Sequence, residues 1–495
     1  MKDNKNFGFS HKCGILLPIS SLPSKYGIGS FGKEAYEFVD FLADTHQKCW
    51  QVLPLNPTSY GDSPYQSPAS IAGNPYFIDL PTLYSEGLLT ADELAESEHD
   101  TQRVDYGWLF NTRYAVLRKA YSRFTGGKKY DRFCEKNAAW LDDYALFMAL
   151  KGYYNHRAWT EWGAEHRDYE KAKKWAADFV DDIGFWKWVQ YAFMSQWKAL
   201  LKYAHSKKIV IIGDMPIYVA HDSMDVWRNT KQFLLDENFN PTVVAGCPPD
   251  SFSPDGQLWG NPIYNWELMK AENFAWWCER VGAAFELYDI LRIGHFRGFA
   301  SFYSIPYGDT TAHRGSWVSA PGKELFAAIR AAHPKAKIIA EDLGFITDDV
   351  RELLAFTGFP GMKILQFAYF EENGEYLPRM YTTDNCVVYP GSHDSDCTAT
   401  WCKNLSGEIK ERFIRCTHRR RGQSATCAVI ESAMRSRANL AVVAMQDYLE
   451  LENAEARMNT PSLAEGNWQW RLKKNYKRRS VKEKIAEIAT STHRA

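Results

Sequence analysis

The chain has no hydrophobic run approaching the roughly 18 to 20 apolar residues of a membrane span. It also has no C-x-x-C pair, no charge excess of either sign and no internal repeat. Each absence removes a class of protein. The apolar stretch Gly14 to Ile19 is short and broken by Pro18, so neither a membrane helix nor a secretory h-region is expected. The closest of the ten cysteines, Cys397 and Cys402, have neither the spacing nor the neighbouring histidines of a zinc site. Scattered cysteines in a long chain read as reduced, mostly buried thiols of a cytoplasmic protein. A formal net charge of −1 offers no general attraction to nucleic acid or to a membrane surface. No G-x-G-x-x-G fingerprint follows a candidate strand and there is no phosphate loop, so a dinucleotide- or phosphate-binding barrel lacks support. No metal or other cofactor is expected either. His221, His295 and His393 lie on different elements, and each suits a hydrogen-bonding role better than a ligand role.

What is present is an ordinary globular composition, 45% apolar and 24% charged, in 495 residues. That length exceeds one usual core and predicts a large domain with insertions. Eight short apolar runs read as strands: Gly14 to Ser20, Trp50 to Leu55, Ile209 to Gly213, Ile290 to Ile293, Lys337 to Ala340, Gly361 to Phe367, Cys386 to Tyr389 and Leu440 to Met445. Most are separated by helical patterns long enough for a parallel crossover. Eight such units predict an α/β fold, a (β/α)8 TIM barrel. Two gaps are long. Residues 56–208 open on a Gly-, Pro- and Ser-rich loop and continue as helical patterns rich in Trp and Tyr, which predicts an inserted, mostly helical subdomain. Residues 215–286 read as active-site loops and helices. Segments 209–214 and 287–472 supply the remaining barrel. The basic tail 473–495 reads as a solvated helix rather than a nucleic-acid patch.

In such a barrel, chemistry gathers where strands end. The third run ends at Asp214, the fourth at Gly294 and His295, the fifth at Glu341 and Asp342. The seventh leads to His393 and Asp394, the eighth to Gln446 and Asp447. Carboxyl groups converging from separate strands are what glycoside chemistry needs: one protonates the leaving oxygen, another attacks the anomeric carbon or activates water. Strand-end acids also cap helices, and Asp342 and Asp447 fit that role equally well. The stretch Tyr288 to Pro306 stands out, because a buried strand carrying Arg292, His295 and Arg297 carries charge for a task.

A set of motifs in order then defines a resemblance: GILLPISSLPSKYGIGSFG, WQVLPLNPTSYGDSPYQS, WLDDYALFMALK, IIGDMPIYVAHDSMDVW, PPDSFSPDGQLWGNPIYNW, RIGHFRGF, AEDLG, GMKILQF, GSHDSD and MQDYLELENAEARMN. Together they cover nearly the whole chain, which resembles the 4-α-glucanotransferases (amylomaltases, disproportionating enzymes) of glycoside hydrolase family 77 in the α-amylase clan. The resemblance implies transfer of α-1,4-glucan segments between maltooligosaccharides by a retaining double displacement. It implies Glu341 as general acid/base and Asp394 as the carboxylate that fixes sugar hydroxyls and stabilises the transition state. Arg292 would orient the nucleophile, His393 would bond the donor sugar, and Asp214 would support the site. Trp259, Tyr60, Tyr65, His295 and Asn467 would line the glucan path.

One position departs from the pattern. Where the family motif reads R-I-D-H-F-R-G-F, with Asp as nucleophile, this chain has Gly294. Glycine inside a strand costs roughly 0.5 to 1 kcal/mol, so folding does not call for it. Loss of a nucleophile costs on the order of 10⁶ in rate, and a chain that binds maltooligosaccharides but barely transfers them is expected. The alternative is a non-catalytic glucan-binding pseudoenzyme. The retained Glu341 and Asp394 favour a recent loss or a deliberate substitution over long degeneration. Two milder departures, Ser251 for a Tyr and Ser395 for an Asn, bear on acceptor preference.

Overall fold

A computed structural model describes residues 8–249, 253–461 and 463–495. Among these residues twelve strands form two sheets. Eight of them close a parallel barrel: β1 (Lys12–Leu16), β2 (Cys49–Gln51), β3 (Val210–Met215), β6 (Ile290–Ile293), β9 (Ile338–Ala340), β10 (Gly361–Ile364), β11 (Cys386–Tyr389) and β12 (Leu440–Ala444). Around the barrel they run in sequence order, with β12 closing on β1. Their side chains are almost wholly buried, which is why they read as continuous apolar runs rather than alternating ones. All eight expected strands are therefore barrel strands. Pro18 and Pro54 lie past the ends of β1 and β2, where they remove no ladder hydrogen bond.

Barrel packing is tight enough to dictate glycine at two strand positions. A Cβ at Gly14 would run into the Cys49 thiol, and one at Gly213 into the Tyr288 ring. Cysteines such as Cys13, Cys49, Cys386 and Cys397 are reduced and buried. Among the described residues no helix is long and apolar enough to cross a membrane.

Between β2 and β3 the chain is chiefly helical, with Tyr106–Arg123, Lys128–Tyr153 and Val180–Ser206 the longest helices. The last of these packs against both its neighbours and the barrel, burying Trp188, Val189, Phe193 and Trp197 along one face. The region after β3 differs from the expectation of loops and helices. It contributes β4 (Val243–Cys247) and β5 (Gln257–Pro262), which join β7 (Ser301–Pro306) and β8 (Ser316–Ser319) in an antiparallel sheet of order β5-β4-β7-β8. The second half of the Tyr288 to Pro306 stretch thus leaves the barrel and builds this sheet.

The basic tail also differs from a freely solvated helix. Arg479–Ser491 is helical, but Ile485, Ile488 and Ala489 are buried. Arg494 is fully buried, donating to the carbonyls of Met434, Lys12 and Ala438 at 2.6, 2.8 and 2.9 Å. An apolar stripe every three to four residues needs a partner face, and the lysines lie beside it in ion pairs such as Lys482 with Asp44 and Lys484 with Glu450.

Candidate active site

The C-terminal ends of the barrel strands bring the predicted carboxylates together. In the parallel ladder of β3 and β6, Asp214 is the direct neighbour of Arg292. Registered neighbours on parallel strands point to the same side, and here both point to the strand ends' interior. Arg292 Nη1 donates to both Asp214 oxygens at 2.7 Å, and the pair is almost completely buried. The Tyr65 hydroxyl, from the loop after β2, donates to Asp214 Oδ2 at 2.7 Å. With that proton committed, the Tyr65 oxygen accepts from His393 Nε2 at 3.0 Å, which fixes the tautomer of this ring. His393 Nε2 also lies 3.3 Å from Asp394 Oδ2. Burial lowers the His393 pKa, so it acts as a neutral donor.

Asp394 is held from behind. Asn459 Nδ2 donates to its Oδ1 at 2.6 Å, and Arg457 reaches its carbonyl at 3.3 Å while pairing with Asp396. Asn453 bonds Asp396 as well, at 2.7 Å. One polar chain therefore links Arg292, Asp214, Tyr65, His393, Asp394 and Asn459. The asparagines and Arg457 were present in the motif MQDYLELENAEARMN, but nothing in their residue types says which carboxylate they serve.

Glu341 stands at the end of β9, beside the segment that follows β6. Its backbone N–H donates to the Ile293 carbonyl at 3.1 Å, and Phe296 N–H donates to its carbonyl at 3.0 Å. The carboxylate accepts a short hydrogen bond from the His295 backbone N–H and lies 3.9 Å from Arg292 Nη2. Burial raises its pKa to about 7, with Asp394 and Asp214 adding to the rise and Arg292 and the His295 N–H opposing it. An acid with that pKa gives and retakes a proton near neutrality.

Gly294, between Arg292 and His295, is buried. Unlike Gly14 and Gly213, nothing around it demands glycine. Its φ lies outside the left-handed region, and a Cβ would stand 3.6 Å from Arg292 Nη1 and from the Met215 carbonyl, and 3.8 Å from Pro216 Cα. These are ordinary contacts. A side chain here would start beside Arg292 and the backbone of Met215 and Pro216.

The remaining expected residues are spread more widely. His295 has a left-handed backbone and an edge-to-face contact with Trp259, ring centroids 4.8 Å apart. Burial pushes its pKa down to about 3, so the ring stays neutral. Trp259 lies on β5, so the second sheet is what carries it to the barrel mouth. Tyr60 is exposed, at 79% of its free surface. Asn467 accepts from Thr460 N–H at 2.9 Å and donates to the Leu463 carbonyl at 2.8 Å, so these side-chain bonds staple the loop after Asn459 and go to neither Glu341 nor Asp394. Ser395 accepts from Ser392 N–H at 2.9 Å within its own turn, and Ser251 lies outside the described residues.

Asp447 serves the helix Thr398–Asn404, accepting from Thr398 N–H and Oγ1 at 2.8 Å each. Asp342 accepts from Met362 N–H at 2.7 Å, at the start of β10. Both have the anchoring role that strand-end acids share with catalytic ones. His221 bonds the Phe239 carbonyl at 2.8 Å, away from these carboxylates. Among the described residues no cluster of His, Cys, Asp and Glu could hold a metal. The string Gly27 to Gly32 spells G-x-G-x-x-G, but it follows a loop, and Asp79 fills the approach to its helix, accepting from Ser30 Oγ at 2.7 Å. A cavity of about 320 Å³ lined by Phe326, Arg330, His333 and Lys337 lies at the opposite end of the barrel, where β9 begins.

An acid poised near neutrality, a second carboxylate braced by its own hydrogen bonds, and a buried arginine at the strand ends define a (β/α)8 protein built for glycosidic bonds. Residues 17–477 match the profile of glycoside hydrolase family 77, described as 4-alpha-glucanotransferase, and the chain belongs to that family. It is 47% identical to a 4-alpha-glucanotransferase of Clostridium butyricum over 481 residues, covering 95% of this chain and 98% of that protein. It is 45% identical to one of Streptococcus pneumoniae, covering 96% of each. The amylomaltase of Streptococcus agalactiae, solved in complex with acarbose, superposes with a TM-score of 0.94 at 41% identity, covering 98% of this chain and 99% of that one.

Proposed function

We propose that this chain binds α-1,4-linked maltooligosaccharides across the C-terminal end of its barrel and, as encoded, does not complete the transfer that its family performs. The observation that carries the reading is the pairing of a competent Glu341 with a glycine at the nucleophile position. In the double displacement, Glu341 protonates the leaving O4 while a carboxylate attacks C1 from the opposite face; a 4-hydroxyl of a second glucan then collects the sugar. Asp394 would grip the donor sugar's hydroxyls with His393 beside it; Asn459 holds its Oδ1, and Oδ2 stands 3.3 Å from His393 Nε2. At position 294 no side chain is available to attack. Asp214 is no substitute, since both its oxygens are taken by Arg292 and Tyr65. Reduced, buried cysteines such as Cys13, Cys49, Cys386 and Cys397 suit a reducing compartment, and we place the protein in the cytoplasm on maltodextrin-type substrates.

The test is conversion of maltotriose to glucose and longer oligosaccharides by this chain and by Gly294→Asp. The native chain should stand near the limit of detection, and Gly294→Asp should gain on the order of 10⁶ in rate. Brisk turnover by the native chain would show that another group attacks. Silence in both, with glucan still bound, would favour the pseudoenzyme instead.

A further inference from the structure

Position 294 combines three features: clearance for a Cβ, a guanidinium 3.6 Å from where that Cβ would stand, and the acid Glu341, whose carboxylate accepts from the next residue's N–H. We infer that a small free anion, formate or azide, occupies the place of the missing side chain and serves as the nucleophile for glycosyl transfer. The inference rests on the reading that the chain binds glucans and lacks only its attacking group.

The geometry supplies each requirement. Apart from the two adjoining residues, a Cβ at 294 would have no neighbour closer than 3.6 Å, and one of the two atoms at that distance is a hydrogen-bond donor, Arg292 Nη1. Formate has the three heavy atoms of a carboxyl group, so it matches the end of the side chain that the position could hold. Arg292 is held in place by Asp214 and contacts Met362 Sδ at 3.4 Å, so its charge is fixed and sheltered from water. Glu341, anchored by His295 N–H, keeps its proton to near neutrality.

The steps balance. Azide attacks C1 of the donor sugar on the face opposite the glycosidic oxygen. The C1–O4 bond breaks, Glu341 gives its proton to O4, and the products are a β-glycosyl azide and a shortened glucan. Glu341 regains a proton from water. With formate the product is a β-glycosyl formate ester. An acceptor 4-hydroxyl then attacks C1, Glu341 takes its proton, and formate leaves, restoring the α-1,4 linkage.

The magnitude follows from tethering. Removing the nucleophile costs on the order of 10⁶, while a positioned group acts at an effective concentration of roughly 10⁵ M or more. Free anion at about 1 M therefore recovers about tenfold over the anion-free floor.

The experiment incubates the full chain with maltotriose in about 1 M sodium azide, sodium formate or sodium chloride, and analyses products by mass spectrometry and NMR. The expected result is β-maltooligosyl azide in azide, and disproportionation raised about tenfold in formate over chloride. Gly294→Asn, which fills the position with a neutral side chain, should abolish both responses. Absence of glycosyl azide together with no formate response overturns the inference, as does an equal response in Gly294→Asn. Gly294→Asp separates the two readings. If it disproportionates maltotriose while the native chain ignores both anions, the lost-nucleophile reading stands and the anion inference falls. Turnover by the native chain in chloride alone at a rate comparable with that of Gly294→Asp overturns both.

Discussion

Glu341 can be tested without any turnover, through its effect on stability. An unfolded glutamate titrates near 4.5, and in the fold this carboxyl titrates near 7, chiefly because it is buried. Between those values the native state holds a proton that the unfolded state has released, so stability falls as pH rises. The slope is about 1.36 kcal/mol per pH unit, and across the window the loss comes to ~3 kcal/mol. Glu341→Gln removes the titration and keeps an oxygen to accept from His295 N–H. It should match the native protein below pH ~4 and exceed it by ~3 kcal/mol above pH ~7.5. At about 2.1 cal/mol/K per residue, a chain of this size gains roughly 1 kcal/mol/K of unfolding entropy, so the difference is ~3 °C in melting temperature. Paired thermal melts from pH 4 to 8 read it directly. Asp342 and Asp447, both raised to about 6 by burial, titrate identically in the two proteins and cancel. A difference that stays flat across the range, or that grows toward acid pH, refutes the argument that Glu341 is held protonated near neutrality.

Three further substitutions probe the supports. Arg292→Ala leaves Asp214 buried with Tyr65 as its remaining side-chain donor and should destabilise the fold by ~3 to 5 kcal/mol, read by urea unfolding; a loss under about 1 kcal/mol would mean that the pair is not a sheltered ion pair. Asn459→Ala removes the bond that fixes Asp394 and should weaken maltooligosaccharide binding about tenfold by calorimetry, and unchanged affinity would show that Asp394 needs no brace. Asp447→Ala removes the side-chain cap of the helix Thr398–Asn404 and should cost about 1 kcal/mol of stability, with glucan affinity unaltered; a fall in affinity would place Asp447 in the site.

The eight barrel strands were legible in the sequence because a strand covered on both faces must be apolar throughout, and such runs stand out against the helical patterns between them. Strand ends could then be read for acids, which is how Asp214, Glu341 and Asp394 emerged from residue order alone. The resemblance to a family came from motif order and was equally independent of coordinates. The antiparallel sheet escaped detection for a physical reason. Every residue of strand β8 is exposed and only the last two of β5 are buried, so neither carries the buried signature of a core strand, and both exist through pairing with β4 and β7. Only that sheet brings Trp259 against His295.

Four further features belong to the tertiary structure. Arg292 clasps Asp214 because parallel register sets two distant residues side by side. Tyr65 meets His393 across a separation of 328 residues, which no local pattern encodes. The pKa of Glu341 depends on burial and on the charges around it, both products of packing. At Gly294, finally, the sequence by itself determined that no side chain is present. Only the packing decided that a Cβ would fit, because neighbours at 3.6 Å and an unstrained backbone are properties of the folded barrel.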